Sequence, residues 1–325
     1  MNYFIPPFNF HHVFVEPWAQ AGGGFAWIAL MGFLVATACG LVGNFLILRR
    51  MALVGDAISH SVLPGIAIAF LVAKSRSSLA MFVGALAAGV VTTVIIETIH
   101  RKTRVKQDAA IGIAFTSLFA LGVILISLFA SKVDLDQECV LYGEIAFVPL
   151  EEMVRVGAVT LGPVSVVRMA VVTLLLAVLV VAFYKELLVS SFDPTLALSL
   201  GINSTVVHYS LMAALSVVVV SAFEAVGAIL VVAMLILPGA TATLLSQRLP
   251  VMLGLTVLHA ALSSVLGIHL GVWLNCSLAA AVVVAATVLF MLSWLITSAG
   301  RHGFRMVSAR TENNNGAKTT PLQGR

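Results

Sequence analysis

The sequence predicts an all-α, polytopic integral membrane protein of about nine transmembrane helices, with eight to ten allowed. Three observations carry this. Of 325 residues, 60% are apolar and only 10% charged, against roughly 25% charged in a soluble domain. The mean hydropathy is +1.08, which excludes a water-soluble globule. The apolar residues also fall into runs of about 20, one bilayer crossing each.

The elements follow in order. Residues 1–24 are rich in Phe and Pro and contain neither Lys nor Arg. They lack the basic start of a secretory signal and are expected to form an extracytoplasmic lead-in. A transmembrane unit fills 25–297, with runs at Phe25–Leu48, Met51–Ala73, Leu79–Ile99, Ala109–Ala130, Arg168–Leu188, Val206–Ala222, Val226–Leu245, Val251–Leu270 and Leu278–Thr297. In lipid, such unbroken apolar runs must be helices, because only then does every backbone group find a partner within its own segment. Only Phe223, Glu224 and Ala225 separate the sixth and seventh runs, so a re-entrant hairpin competes there with two full crossings. Residues 298–325 are polar and basic and are expected to be a disordered cytoplasmic tail.

An odd number of spans places the termini on opposite sides. With the N-terminus outside, thirteen Lys and Arg fall in cytoplasmic segments and five outside, so the positive-inside rule gives N-out and C-in. The segment Ser131–Val167 is an acidic outer loop with Asp134, Asp136, Glu138, Glu144, Glu151 and Glu152. Its apolar middle, Ile145–Leu150, is expected on the surface.

Several functions are excluded. No Gly-x-x-x-x-Gly-Lys-Ser/Thr loop is present, so ATP energy can enter only through a partner. No nucleophile and base stand in a catalytic arrangement, and an intramembrane enzyme is rejected. The pI of about 9.2 arises from span-end charges and implies no nucleic acid. Cys39, Cys139 and Cys276 suit neither a disulfide framework nor a zinc cluster.

Ionisable groups inside the bilayer cost several kcal/mol each and therefore mark function. Asp56 and His60 lie four residues apart in Gly-Asp-Ala-Ile-Ser-His-Ser-Val-Leu-Pro-Gly, residues 55–65. On a helix they share a face, about 8 to 14 Å into a core about 30 Å thick. A carboxylate and an imidazole so placed can both reach one divalent ion, and these donors suit Mn²⁺, Fe²⁺ or Zn²⁺. Pro64 cannot donate to the carbonyl of His60 and Gly65 adds freedom, so the helix can open beside the pair. The bland alternative is an Asp–His bond that only locks two helices. Glu224 is read as a third ligand, an entry-gate carboxylate or a plain interfacial acid. His259 is a weaker ligand candidate, and His208, His11 and His12 are weaker still.

The stretch Leu48–Gly65 closely resembles the signature of membrane permeases of bacterial zinc, manganese and iron ABC importers. Asp108–Ile113, Tyr184–Pro194 and Ala225–Ala242 are similar to the same family, and the likeness extends over about 25–297. Leu274-Asn275-Cys276-Ser277 departs from the family's usual Pro-Ser-Gly-like turn. The resemblance implies a multi-pass permease of the bacterial inner membrane that binds no permanent cofactor and transports a divalent metal ion. It implies a cytoplasmic ABC ATPase that supplies ATP hydrolysis, an extracytoplasmic metal-binding protein, and a second permease copy or paralogue, all within membrane lipid. Asp56 and His60 match the family's proposed metal-path pair. Phe192, Asp193 and Pro194, ending near Gly201, offer a short capped helix on which the ATPase would dock. Alternatives are a permease for an iron chelate or other cargo and an ion-coupled secondary metal transporter.

Overall fold

The computed structural model describes residues 6–20, 23–73, 78–129, 144–156 and 159–316, with backbone only from 300 onward. Among the described residues, nine helical segments are long and apolar enough to cross a membrane.

The first span, α2 (Gly24–Leu48), follows a π-helical turn (His11–Val15) and the short α1 (Glu16–Gln20). It is apolar all round and so belongs at the centre of the bundle. Met31, Val35, Val42 and Phe45 are fully buried there. The second span is split into α3 (Val54–Ser61) and α4 (Leu63–Ala73), followed by α5 (Ser78–Lys102) and α6 (Gln107–Phe129). After the segment that follows α6 come α7 (Val164–Ala182), the short α8 (Tyr184–Phe192) and α9 (Pro194–Ser199), then α10 (Ser204–Val226), α11 (Ala228–Leu245), α12 (Leu249–Leu274) and α13 (Leu278–Gly316). Helices α7, α11 and α12 pack around α2, and α13 packs on α11 and α12.

Four expectations are refined. The sixth and seventh runs are two separate helices, each long enough to cross a membrane, joined at Gly227 with φ 78°. The fifth span begins at Val164 and stops at Ala182, so Arg168 lies within the helix; Phe183, at φ −101° and ψ 26°, separates it from α8. The stretch Ile145–Leu150 is a 3₁₀ turn whose Ile145 and Val148 are buried, while Phe147 and Leu150 remain exposed. It is tucked against α2 because its apolar spacing gives one inward face. The backbone of α13 runs to Gly316, past the start of the expected disordered tail, continuing the register of the last span.

The segment between α6 and α7 also holds an antiparallel hairpin, β1 (Met153–Val156) and β2 (Val159–Pro163), with a bulge between Val154 and Arg155. The Glu151 carboxylate accepts from Ser165 N–H at 2.9 Å, capping the start of α7. The expected acids Asp134, Asp136 and Glu138 lie outside the described residues. The N-terminal segment is docked on α12: Val13 is buried, and the His269 ring nitrogen Nδ1 donates to its carbonyl at 2.9 Å.

Candidate metal path and its surroundings

Asp56 and His60 meet as their spacing requires. His60 Nε2 lies 3.5 Å from Asp56 Oδ1. The imidazole packs against Phe115 and Phe119 of α6, with ring centres 5.3 and 6.2 Å away, which limits its rotation while leaving the carboxylate open. In the single chain the Asp56 side chain is 43% exposed and that of His60 29%. Asp56 and His60 thus form a carboxylate–imidazole pair that is open on one side.

The local backbone supports the opening. Helix α3 ends at Ser61 and α4 begins at Leu63, because Pro64 carries no N–H for the His60 carbonyl. Ser59 donates its hydroxyl to the Asp56 carbonyl at 2.9 Å, and Ser61 shares a 2.7 Å hydroxyl bond with Thr92 of α5. Gly65 lies against Gly84 so closely that a Cβ there would collide with the Gly84 carbonyl oxygen and crowd Ala88. No bulkier residue permits this approach.

The other candidates stand elsewhere. Among the described residues, no third His, Cys, Asp or Glu joins the pair in a group able to hold a metal ion. Glu224 at the end of α10 is bound by Arg168 Nη1 at 2.8 Å, and the Arg168 guanidinium also covers the Phe82 ring at 5.6 Å. His259 is buried in α12, and its Nε2 makes no hydrogen bond among the described residues. His12 Nδ1 bonds Glu16 at 2.7 Å on an exposed face.

At the end of the bundle that carries Arg49 and Lys102, the turn at α9 is formed as its sequence demands. Asp193 accepts from the N–H groups of Thr195 and Leu196, both at 3.0 Å, with Pro194 in the first helical position. The Thr195 hydroxyl bond, followed by the Leu196 N–H, holds the Asp193 carboxyl below its usual value. Gly201 closes the turn at φ 79°. Phe192, Leu196, Leu198 and Leu200 are left exposed.

Beside this turn lies a cluster that the sequence reading missed. Glu97 of α5 is 6% exposed and is bound by Arg101 and by His208 Nε2, the latter at 3.1 Å. Its signal in the sequence was the same spacing of four, Glu97 to Arg101, that marks Asp56 and His60.

Among the described residues, nine helices long and apolar enough to cross a membrane, one of them broken beside a carboxylate–imidazole pair, define a multi-pass membrane protein. The chain belongs to the ABC 3 transport family, whose model matches residues 25–297. It is 47% identical over 84% of its length to the manganese transport system membrane protein MntD of Bacillus subtilis, covering 92% of that protein. It is 44% identical to the zinc transport system membrane protein TroD of Treponema pallidum, covering 85% of this chain and 74% of the relative. Its structure matches PsaBC from Streptococcus pneumoniae, solved in complex with Fab, with a TM-score of 0.70 and 34% identity over 88% of this chain and 95% of that one. The chain is therefore an ABC permease subunit.

Proposed function

We propose that this chain is the permease of a bacterial inner-membrane importer that moves a divalent transition metal, Mn²⁺ first and Zn²⁺ second, into the cytoplasm. The carrying observation is the Asp56–His60 pair, 3.5 Å apart beside the interruption of its span. Oxygen and imidazole donors suit Mn²⁺ and Zn²⁺, and relatives at 47% and 44% identity are named for those two ions.

The partners follow from what one chain leaves open. A carboxylate inside a membrane segment and 43% exposed is costly against lipid; a second permease copy covering that face would shield it and could bring further ligands. The exposed Phe192, Leu196, Leu198 and Leu200 at the α9 turn offer a rigid apolar seat for a cytoplasmic ATPase. An extracytoplasmic binding protein would deliver the ion to the opposite side, with the N-terminus outside and the C-terminus inside as the Lys and Arg distribution indicates. ATP-driven movement of the helices then exposes the pair to each side in turn.

The test is uptake of radiolabelled Mn²⁺ by cells carrying the whole system, with Zn²⁺ and Fe²⁺ as competitors. Saturable Mn²⁺ uptake that Zn²⁺ suppresses and that requires ATP supports the assignment. Uptake driven by an ion gradient without ATP would overturn it.

A further inference from the structure

Arg49 sits where three parts of the permease meet. Its Nη2 donates to Ser190 Oγ at 2.9 Å and its Nε to Ser191 Oγ at 3.2 Å, both on α8 directly before Phe192 and Asp193. Its Nη1 points at His208 Nδ1 of α10 from 3.4 Å. A guanidinium can only donate, so that nitrogen accepts, and Nε2 carries the hydrogen that His208 gives to Glu97 at 3.1 Å. Glu97, itself bound by Arg101, completes a chain of contacts over α2, α5, α8 and α10. Partial burial draws the Arg49 guanidinium below its usual value, so its hydrogen bonds are made in a shielded setting where they are stronger.

Glu97 and His208 offer the donor types of Asp56 and His60, yet Arg49 and Arg101 flank them. Two guanidiniums against one carboxylate repel a metal ion, so this cluster is no second metal station.

Position gives the cluster its use. Arg49 caps the end of α2, and only 50–53 separate it from α3, which carries Asp56 and His60. That connection is stiff: Arg50 N–H bonds Ile47 O at 3.0 Å and Met51 N–H bonds Leu46 O at 2.8 Å, with Arg50 left-handed at φ 59°. This is the double-bonded helix end usually built on Gly.

We propose that Arg49 is the positioning residue that ties the ATPase-docking segment to the half-span bearing the metal pair, with Glu97 and His208 holding its guanidinium in place. The idea rests on the proposed importer function and on docking at α9. A displacement of α8 pulls on Arg49 through two hydroxyls, and the stiff turn passes the movement to α3. If Arg49 served only to hold the fold, its loss would depress every activity together.

The test uses the whole transporter, permease with its ATPase and binding protein, in proteoliposomes. Mn²⁺ uptake and ATP hydrolysis are measured together in the wild type, Ser190→Ala/Ser191→Ala, Arg49→Lys and Arg49→Ala. The serine double variant keeps the three charges of Arg49, Glu97 and Arg101 and removes the hydroxyls that link Arg49 to α8, together with the long 3.4 Å bond from Ser190 to the Leu187 carbonyl. Its Mn²⁺ transported per ATP should fall at least about fivefold while hydrolysis stays near the wild-type rate, with Arg49→Ala as low or lower and Arg49→Lys between. An unchanged ratio in the serine variant, or a parallel fall in uptake and hydrolysis, overturns the proposal. Failure of the wild type to take up Mn²⁺ instead overturns the importer assignment.

Discussion

Arg168 Nη1 lies 2.8 Å from Glu224 Oε2, joining the start of α7 to the end of α10. Glu224 thereby acts as the counter-ion of a membrane arginine, and its substitution should not change metal selectivity. With side chains 26% and 47% exposed, the pair contributes about 0.5 kcal/mol. Glu224→Gln should retain Mn²⁺ affinity and lose a small amount of thermal stability in detergent. The double variant Arg168→Gln/Glu224→Gln should be less destabilised than the sum of the singles. A lost metal affinity in Glu224→Gln alone would favour its reading as a ligand.

Asp56→Asn keeps the volume and removes the charge that the proposed metal path places beside His60. Uptake at subsaturating Mn²⁺ should fall at least about tenfold, a cost of about 1.4 kcal/mol or more, with unchanged protein in the membrane. His60→Ala should do the same and also free Phe115 and Phe119. Normal uptake in Asp56→Asn would remove the pair from the metal path.

Asp193 gives a pH expectation with a defined sign. Its carboxyl is held below the ordinary value by Thr195 and Leu196, so the cap is intact above that ordinary value and fails only as pH falls through the lower folded one. Hydrogen exchange of the Thr195 and Leu196 amides, corrected for intrinsic rate, should be flat from about pH 5 to 8. Asp193→Asn, which still caps, should retain ATPase in co-purification, whereas Asp193→Ala should release it.

Gly65→Ala places a methyl group against the Gly84 carbonyl and Ala88. Overpacking of this kind costs about 1 to 3 kcal/mol, readable as a lower melting temperature of the purified permease. Gly112→Ala, where a Cβ meets nothing within 4 Å, is the matched control and should behave as wild type.

The spans and the Asp56–His60 pair were legible in the sequence because both depend on local periodicity: length in lipid for the first, four-residue spacing for the second. The three contacts of Arg49 were not. Ser190, Ser191 and His208 are distant from it in the chain, and charges at span ends first serve to report sidedness, which hides those that are buried and paired. Ile145 and Val148 were misplaced for a related reason. An apolar hexapeptide in an acidic loop reads as surface until α2 supplies the wall it packs on.

The contact of Gly65 with Gly84 bears on which half of the broken span is freer to move. With backbone pressed on backbone, α4 is moored to α5 and has no side chain to slide on. A bend at Val62 would then swing α3 with Asp56 and His60 against a held α4, at the cost of the 2.7 Å bond between Ser61 and Thr92. An inhibitor wedged between α3 and α6 would stall transport without touching the metal, and one bound along α4 would not.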